Sequence, residues 1–589
     1  MAITTMEVNP LLSQESLKIP DFLLKFLIAR GFKSSQEIKE FLYPKISTLS
    51  DPFLVLNMDK AVQRLLLALD SQEKIAIYGD YDLDGTFGLI LLKEGLEKLG
   101  FKFIIPFQPL RHRDGYGLHS HYVEEIKSRG CHLILTVDVG ITANEACDKA
   151  KDLGVDVIVT DHHLPQDRLP SAFCIVNPNQ EGDKSGLNYL CGAGVALYLI
   201  RALRKKMLDL GYSTSFDIKE LLPYYAIATI TDMVPLIKDN RLLLKFAFES
   251  FKKVENKGLT ALLSKLDLKG KKLDVEDIGI KLAPKINALG RLEKDKQPME
   301  LLFLENEIQA NAYVEELLDL NTKRRAFQDK GVNIVEQHIL ENNLEESIKR
   351  DHFLYFFSDK IHPGVTGLIA NHFMTELGVA CLIGSVNPET GTVISSGRKP
   401  EDSPGSLVEF ISSIKSETCD GGGHSCAIGF EFHLDEASRI HKLATHYFLK
   451  NQLDNQLDIV IEKPHPEHQL KFDAEINWKD LHFKNYLWLE FMEPFGVGFE
   501  EPRFLIKNVS FIQLTLLKNK HFKLVAIDSS HNEKNDFLLF NPNSFQRRLI
   551  TEGLDNLDVV VKIKRDKFRN QNKIQLLIED VCRHESFKN

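Results

Sequence analysis

At 589 residues the chain can hold several domains, and 43% hydrophobic with 26% charged residues is the balance of a soluble globular protein. A net charge of −10 argues against wholesale coating of a polyanion but leaves room for a local basic groove. No apolar run reaches the roughly 18 residues that cross a bilayer. The amino terminus has no basic segment leading into an apolar core, and none of the eight cysteines forms a C-x-x-C pair. A cytoplasmic protein with no membrane contact is expected, its cysteines serving as small buried hydrophobes.

In chain order, residues 1–50 read as an N-terminal helical extension. "LLSQESLKIPDFLLKFLIARGF" has helical apolar spacing and a stop at Gly31. Residues 51–240 alternate. "KIAIYGD", "KFIIPF", "HLILTVDVGI", "VDVIVTDHH" and "AFCIVNP" are strands, with helices between them that end at Gly100, Gly130 and Gly154. The strands are near-continuous apolar runs, so the fold class is α/β with a doubly wound parallel sheet. Residues 241–345 form a helical connector with one long charged helix. Residues 346–455 return to strand–helix alternation as a smaller α/β domain. Residues 456–589 are strand-rich, with "LDIVIE", "LKFDAEIN" and "RFLIKNVSFIQLTLL" among the strands, and a C-terminal β-barrel of the OB type is expected. From Glu501 onward 16 Lys/Arg stand against 11 Asp/Glu. The densest cluster is "KIKRDKFR", for which charge alone favours a solvated strand face over a polyanion-binding groove.

Open parallel sheets bind ligands beyond the carboxyl ends of their strands. Here those ends deliver Asp80, Asp82 and Asp84, then Asp138, then Asp161, His162 and His163, with Asp232 after a further apolar run. Each acid alone could cap a helix. Together they would repel one another and raise each other's pKa, which a bound cation relieves. Several Asp with one or two His suit Mn²⁺ or Mg²⁺, whereas zinc would more often recruit cysteine, absent from these segments. The chemistry expected from the residues is metal-dependent hydrolysis of a phosphate ester or pyrophosphate, with a two-metal site.

"GDYDLDG", "TVDVG", "TDHHLP" and "TDMVPL", in this order and spacing, resemble the four motifs of the DHH phosphoesterase family. "RHRDGYGL", "LCGAGVA", "LAPKINALGRL", "IHPGVTGLIA", "GGGHSCAIGF" and "EPFGVGFEEPRF" are similar to its RecJ branch, the single-strand-specific 5′ exonucleases. The resemblance runs from about residue 50 to the end. It implies a DHH catalytic domain, a connecting helix, a DHH-associated substrate-binding domain and an OB-fold nucleic-acid-binding domain. It also implies metal ligands at Asp82, Asp84, Asp138, His162 and Asp232, with Asp138 bridging. Asp161, His163, Asp80 and Arg291 join the catalytic set. Substrate contacts are implied at Arg111, Asn287, Ser396 and Arg398, and in a glycine-rich turn from Gly421 through Gly422 and Gly423 to His424. A nucleic-acid groove would run over Lys562, Lys564, Arg565, Lys567 and Arg569.

The activity implied by the resemblance is that of a 5′ to 3′ exonuclease, releasing 5′-mononucleotides from single-stranded DNA in repair and recombination. A helicase and a single-strand-binding protein are the expected partners, and a monomer the expected state. Two alternatives stand beside it: a hydrolase of short oligonucleotides or cyclic dinucleotides, and a non-catalytic single-strand-binding scaffold. The basic β-rich tail disfavours the first and the complete Asp/His set the second. Three positions depart from the family pattern: Lys285 replaces the usual Arg, Ala228 a Gly, and Lys399 a Ser.

Overall fold

The computed structural model describes residues 19–111, 113–293, 295–414, 420–459, 470–518, 520–528, 533–566 and 572–584. The first sheet contains β1 (Ile75–Gly79), β2 (Ile104–Phe107), β3 (Leu133–Val137), β4 (Asp156–Thr160) and β5 (Cys174–Val176), all parallel, in the order β2-β1-β3-β4-β5. Alternate residues feed two separate cores. Ile75, Ile77, Leu133 and Leu135 join the helices Leu83–Lys98 and Gly192–Asp209. Ala76, Tyr78, Ile134 and Val157 join the helices Ser120–Ser128 and Asn144–Asp152. This two-faced burial is why the strands lack polar alternation. The strand order reverses between β1 and β3, which opens a crevice at their carboxyl ends.

The connector culminates in a 35-residue helix, Glu307–Glu341, about 50 Å long at 1.5 Å per residue. It leads into a mixed sheet of β6 (Phe353–Ser358), β7 (Ala380–Val386), β8 (Thr392–Arg398), β9 (Asp420–His424) and β10 (Ala427–His433), ordered β6-β7-β8-β10-β9. Only β6 and β7 pair in parallel. The glycine-rich segment expected as a turn is the edge strand β9. Its glycines let the chain lie close against β10: a side chain at Gly421 would lie 2.7 Å from Phe430 Cβ.

The C-terminal sheet has seven strands: β11 (Ala474–Glu475), β12 (Phe504–Val509), β13 (Phe511–Leu517), β14 (His521–Asp528), β15 (Glu533–Leu539), β16 (Leu557–Arg565) and β17 (Ile574–Arg583). Three expectations change here. "LDIVIE" does not begin a strand, because the helix Ala437–Ile459 runs through its first three residues, and the rest lies outside the described residues. A six-residue apolar run is too short for period to separate helix from strand. "LKFDAEIN" contributes only two paired residues. "RFLIKNVSFIQLTLL" is two strands that break at Ser510, and within the first of them Asn508 takes a left-handed conformation (φ 52°) where the register shifts.

The N-terminal segment is no free extension. Its helices Asp21–Ala29 and Ser35–Leu42 bury Phe22, Leu23, Phe26, Leu27 and Ile38 in the C-terminal core, against Phe499 and Phe504. Arg30 bridges Asp473 at 2.8 Å and Glu500 at 2.9 Å. Among the described residues no helix is long and apolar enough to cross a membrane.

Candidate metal centre and substrate face

The crevice at the carboxyl ends of β1, β3 and β4 gathers the predicted donors. Asp82 caps the helix Leu83–Lys98, its Oδ1 accepting from Gly85 N at 3.0 Å. The predicted ligand Asp82 is therefore also the helix cap. Asp84, in the first turn, accepts from Gly192 N at 2.6 Å and Ala193 N at 2.8 Å. These two amides open the helix Gly192–Asp209, whose positive end favours the carboxylate. The same glycine explains "LCGAGVA": a Cβ on Gly192 would lie 2.5 Å from Asp138 Cβ. Asp138 follows β3 in a left-handed conformation (φ 62°).

Asp161 is fully buried and saturated. Its Oδ2 accepts from Ile141 N at 2.9 Å, and its Oδ1 from His162 N at 2.7 Å, His163 N at 3.1 Å and His163 Nδ1 at 2.8 Å. Burial works to raise the pKa of Asp161, yet the hydrogen bond and charge of His163 hold it below the usual carboxylate range. Burial likewise works to lower the pKa of His163, but the bond from Asp161 prevails and pushes it up to about 9. His162, by contrast, is held below the usual imidazole range, chiefly by burial. The surroundings thus push adjacent histidines in opposite directions: His162 toward the neutral imidazole that metal binding would need, and His163 toward the cation.

His162 Nε2 lies 3.1 Å from Asp138 Oδ1, 3.5 Å from Asp232 Oδ2 and 3.8 Å from Asp84 Oδ2. Among the described residues, three clusters at this sheet edge have donor atoms mutually within 4.8 Å: Asp80 with Asp82 and Asp138; Asp138 with His162 and His163; and Asp84 with His162 and Asp232. Asp138 and His162 each belong to two of these clusters, and of the two only the Asp138 carboxylate has the two oxygens that bridging neighbouring cations would need. The carboxyl groups of Asp80 and Asp138 lie well above their ordinary range, through burial first and then neighbouring carboxylates. Asp232 is pushed up to about 9 by burial, then by Asp84 and Asp82. Asp80 Oδ1, Asp138 Oδ1, His162 Nε2 and Asp232 Oδ2 are buried without a hydrogen-bond partner. Buried, mutually repelling, unpartnered oxygen and imidazole donors fit divalent cations of the Mn²⁺ or Mg²⁺ type.

The predicted substrate contacts come from three segments. Arg111 lies over the Tyr81 ring at 5.1 Å. Arg291 in the connector reaches the second lobe, with Nη1 3.5 Å from Gly364 O. Burial, then Arg111, Arg324 and Arg398, push Arg291 down to about 10. Those neighbours are all cations, so the arginines converge. Asn287 is half-buried one turn before Arg291. In the second sheet the register aligns Ser396 with Gly429 and Gly422, and Arg398 with Ala427 and His424. Residues directly opposite share a face, and so do residues two apart along a strand. Ser396, Arg398, Gly422 and His424 therefore share one face of the sheet, while Gly423 points to the other. Ser396 Oγ lies 2.9 Å from Thr366 Oγ1.

Lys399 turns away from this face. It is 4% exposed and donates to Pro400 O at 3.0 Å and Ser403 O at 2.6 Å. The described part of the basic cluster is already paired: Lys562 with Glu579 (2.9 Å), Lys564 with Glu276 (2.6 Å) and Glu501 (2.9 Å), and Arg565 with Glu490 (3.6 Å). Lys564 thereby ties the C-terminal sheet to the connector. Lys567 and Arg569 lie outside the described residues. Two contributors were not singled out from the sequence. Tyr116 Oη sits 3.1 Å from His163 Nδ1, and "RHRDGYGL" contained it. Buried Gln108 donates to Asp80 O at 2.7 Å and Thr86 Oγ1 at 2.8 Å, and no sequence signal marks it.

A doubly wound sheet with Asp and His donors at its switch point, joined by a long helix to a second α/β lobe, is the arrangement of a DHH-type phosphoesterase. Residues 74–229 match the DHH family N-terminal domain, and residues 472–580 match the RecJ OB domain. The chain is 29% identical over 578 residues to the single-stranded-DNA-specific exonuclease RecJ of Bacillus subtilis, covering 96% of this chain and 69% of that protein. It is 28% identical to the Escherichia coli protein of the same description, covering 96% of each. The crystal structure of Thermus thermophilus RecJ in complex with Mn²⁺ has the same fold, with a TM-score of 0.76 at 23% identity over 97% of this chain and 77% of that one. The chain is thus similar to the RecJ branch of the DHH family over nearly its whole length.

If Asp161 sets the charge of His163, Asp161→Asn lowers the His163 pKa by about 1–3 units. Imidazole resonances followed by NMR against pH in metal-free protein read this directly. An unchanged midpoint would assign the charge to another group.

Proposed function

We propose that this protein hydrolyses single-stranded DNA from its 5′ end, releasing 5′-mononucleotides, with Mn²⁺ or Mg²⁺ as cofactor. The observation that carries the reading is the meeting of buried, unpartnered Asp138 Oδ1, His162 Nε2 and Asp232 Oδ2 at one sheet edge, with three arginines converging nearby. The relatives described as single-stranded-DNA-specific exonucleases support the substrate. Paired divalent ions, when bound, supply an activated water and offset charge on the phosphate.

The chain's own groups do the rest. Asp82, Asp84, Asp138, His162 and Asp232 would hold the ions. Asp80 adds a further carboxylate at that edge. Asp161 holds His163 cationic, so that it donates to the phosphate undergoing attack. Arg111, Arg291 and Arg398 grip phosphate oxygens through their planar forks, and Ser396 and His424 border that grip on the same sheet face. We assign duplex exclusion to a groove between the two α/β lobes too narrow for paired strands. Residues 51–240 act as the catalytic domain, 241–345 as the connector, 346–455 as the substrate-binding domain and 456–589 as a nucleic-acid-binding domain. We further assign the protein to DNA repair and recombination in the cytoplasm, working as a monomer beside a helicase and a single-strand-binding protein.

With Mn²⁺, a 5′-labelled single strand is expected to release labelled mononucleotide from the earliest times, while a 3′-labelled strand shortens gradually. Equal digestion of blunt duplex, or loss beginning at the 3′ end, would sink the reading.

A further inference from the structure

The connector helix Glu307–Glu341 carries a buried arginine that none of the groups above uses. Arg324 is 8% exposed, its Nε has no hydrogen-bond partner, and its Nη1 reaches only Gln328 Oε1 at 3.4 Å. One turn earlier Asn321 is 5% exposed, and its Oδ1 also lacks a partner. Among the described residues Arg324 forms no ion pair within 4 Å. The nearest acid acting on it is Asp329 on its own helix, and its pKa still lies below the usual guanidinium range through burial and then Arg325. A buried guanidinium without an acid is strongly unfavourable, and it persists where an anion completes it.

The surroundings are cationic on both sides. Lys285, on the helix Ala283–Ile286, is pushed down by burial and then by Arg325, Arg324 and Lys281. Arg291 feels Arg324 together with Arg111 and Arg398. Arg324 is thus the link between the arginines at the substrate face and a second basic patch on the connector. The helices Ala283–Ile286 and Leu289–Leu292 both pack on the connector helix, so these charges share one junction. The side-chain amide of Asn321, turned over, would add a donor to the same anion.

We propose that Arg324, with Asn321 beside it and Lys285 and Arg325 around it, holds a second backbone phosphate of the bound strand, distinct from the phosphate that is cut. The proposal rests on the reading of the chain as a single-strand DNA hydrolase and adds to it a subsite on the connector. A fork aimed at a phosphodiester satisfies Nε and one Nη together. Lys285 adds a further positive charge at that junction.

The test is binding of a short 5′-phosphorylated oligothymidylate in EDTA, so that nothing is cut. The strand is used unmodified and as a series in which one linkage at a time is a neutral methylphosphonate. Arg324→Gln is expected to weaken binding about tenfold and to reduce the slope of log affinity against log salt by about 0.7. At one linkage the neutral substitution should weaken the wild type but leave Arg324→Gln unaffected. Lys285→Gln, at a half-buried position, should lose its sensitivity at that same linkage, and it decides the matter if Arg324→Gln does not fold. Penalties that add independently at every linkage in both variants would overturn the subsite while leaving the exonuclease reading intact. A wild type that does not prefer the single strand to its duplex would overturn both.

Discussion

Asp138→Asn is expected to lower kcat by about 10³-fold while raising the melting temperature of the metal-free protein. Asp138 is 2% exposed, faces Asp84, Asp82, Asp232 and Asp80, and its Oδ1 has no hydrogen-bond partner. Metal-free, folding must either bury a charge among like charges here or take up a proton to neutralise it, so a neutral isostere removes that cost. Asparagine also tolerates the left-handed backbone at this position. The same substitution removes a donor shared by two of the three ligand clusters, and several kcal/mol of charge stabilisation translates to about three decades in rate. For a unit of this size each kcal/mol regained is worth roughly 2–4 °C. Steady-state rates with Mn²⁺ and melting curves in EDTA separate the two effects. A variant within tenfold of wild-type kcat would remove Asp138 from its central place, and a lower metal-free melting temperature would mean that the carboxylate is structural.

The opposite signs of those effects explain why this site was legible in the sequence while other features were not. A β-strand end that carries Asp, or Asp followed by two His, contradicts the local rule that buried apolar strands run into turn residues. Such contradictions survive where function requires them. Strand and helix periods between Ile75 and Asp209 were equally plain, because parallel strands covered on both faces run as uninterrupted apolar stretches. The obscure features depended on partners far away in the chain. "GGGH" reads as a loop until β10 supplies its pairing edge. "KIKR" reads as a free basic face until Glu276, 288 residues away, meets Lys564. The N-terminal helices show their amphipathic faces in sequence, but not that those faces complete a core begun after residue 470. Lys399 departs from the family pattern in sequence, and only the structure shows that its ammonium closes its own loop.

The metal-free protein is expected to lose stability as pH rises from about 6.5 to 9, and Mn²⁺ should reverse that slope. His163 and Asp232 are both pushed up to about 9, from ordinary values of 6.5 and 3.8. Each therefore keeps a proton in the folded state that the unfolded chain releases earlier. A group raised in this way contributes stability that is full below its unfolded pKa and lost as pH climbs through the folded one. For Asp232 the window runs from about 4 to 9, and for His163 from about 6.5 to 9, so above 6.5 the two act together. Asp80 and Asp138, also raised, add to the same trend. His162, held low, opposes it only toward acid, where folding must keep an imidazole neutral that the unfolded chain would protonate. Each extra bound proton contributes on the order of 1.4 kcal/mol per pH unit across its window. Divalent ions require the deprotonated donors, so their stabilisation grows over the range in which the metal-free protein weakens. Thermal melts from pH 6 upward, in EDTA and in Mn²⁺, should cross or diverge accordingly. Parallel curves would mean that the carboxylate cluster neither stores protons nor holds the ion, and a metal-free stability that rises with pH would show the donors already ionised without it.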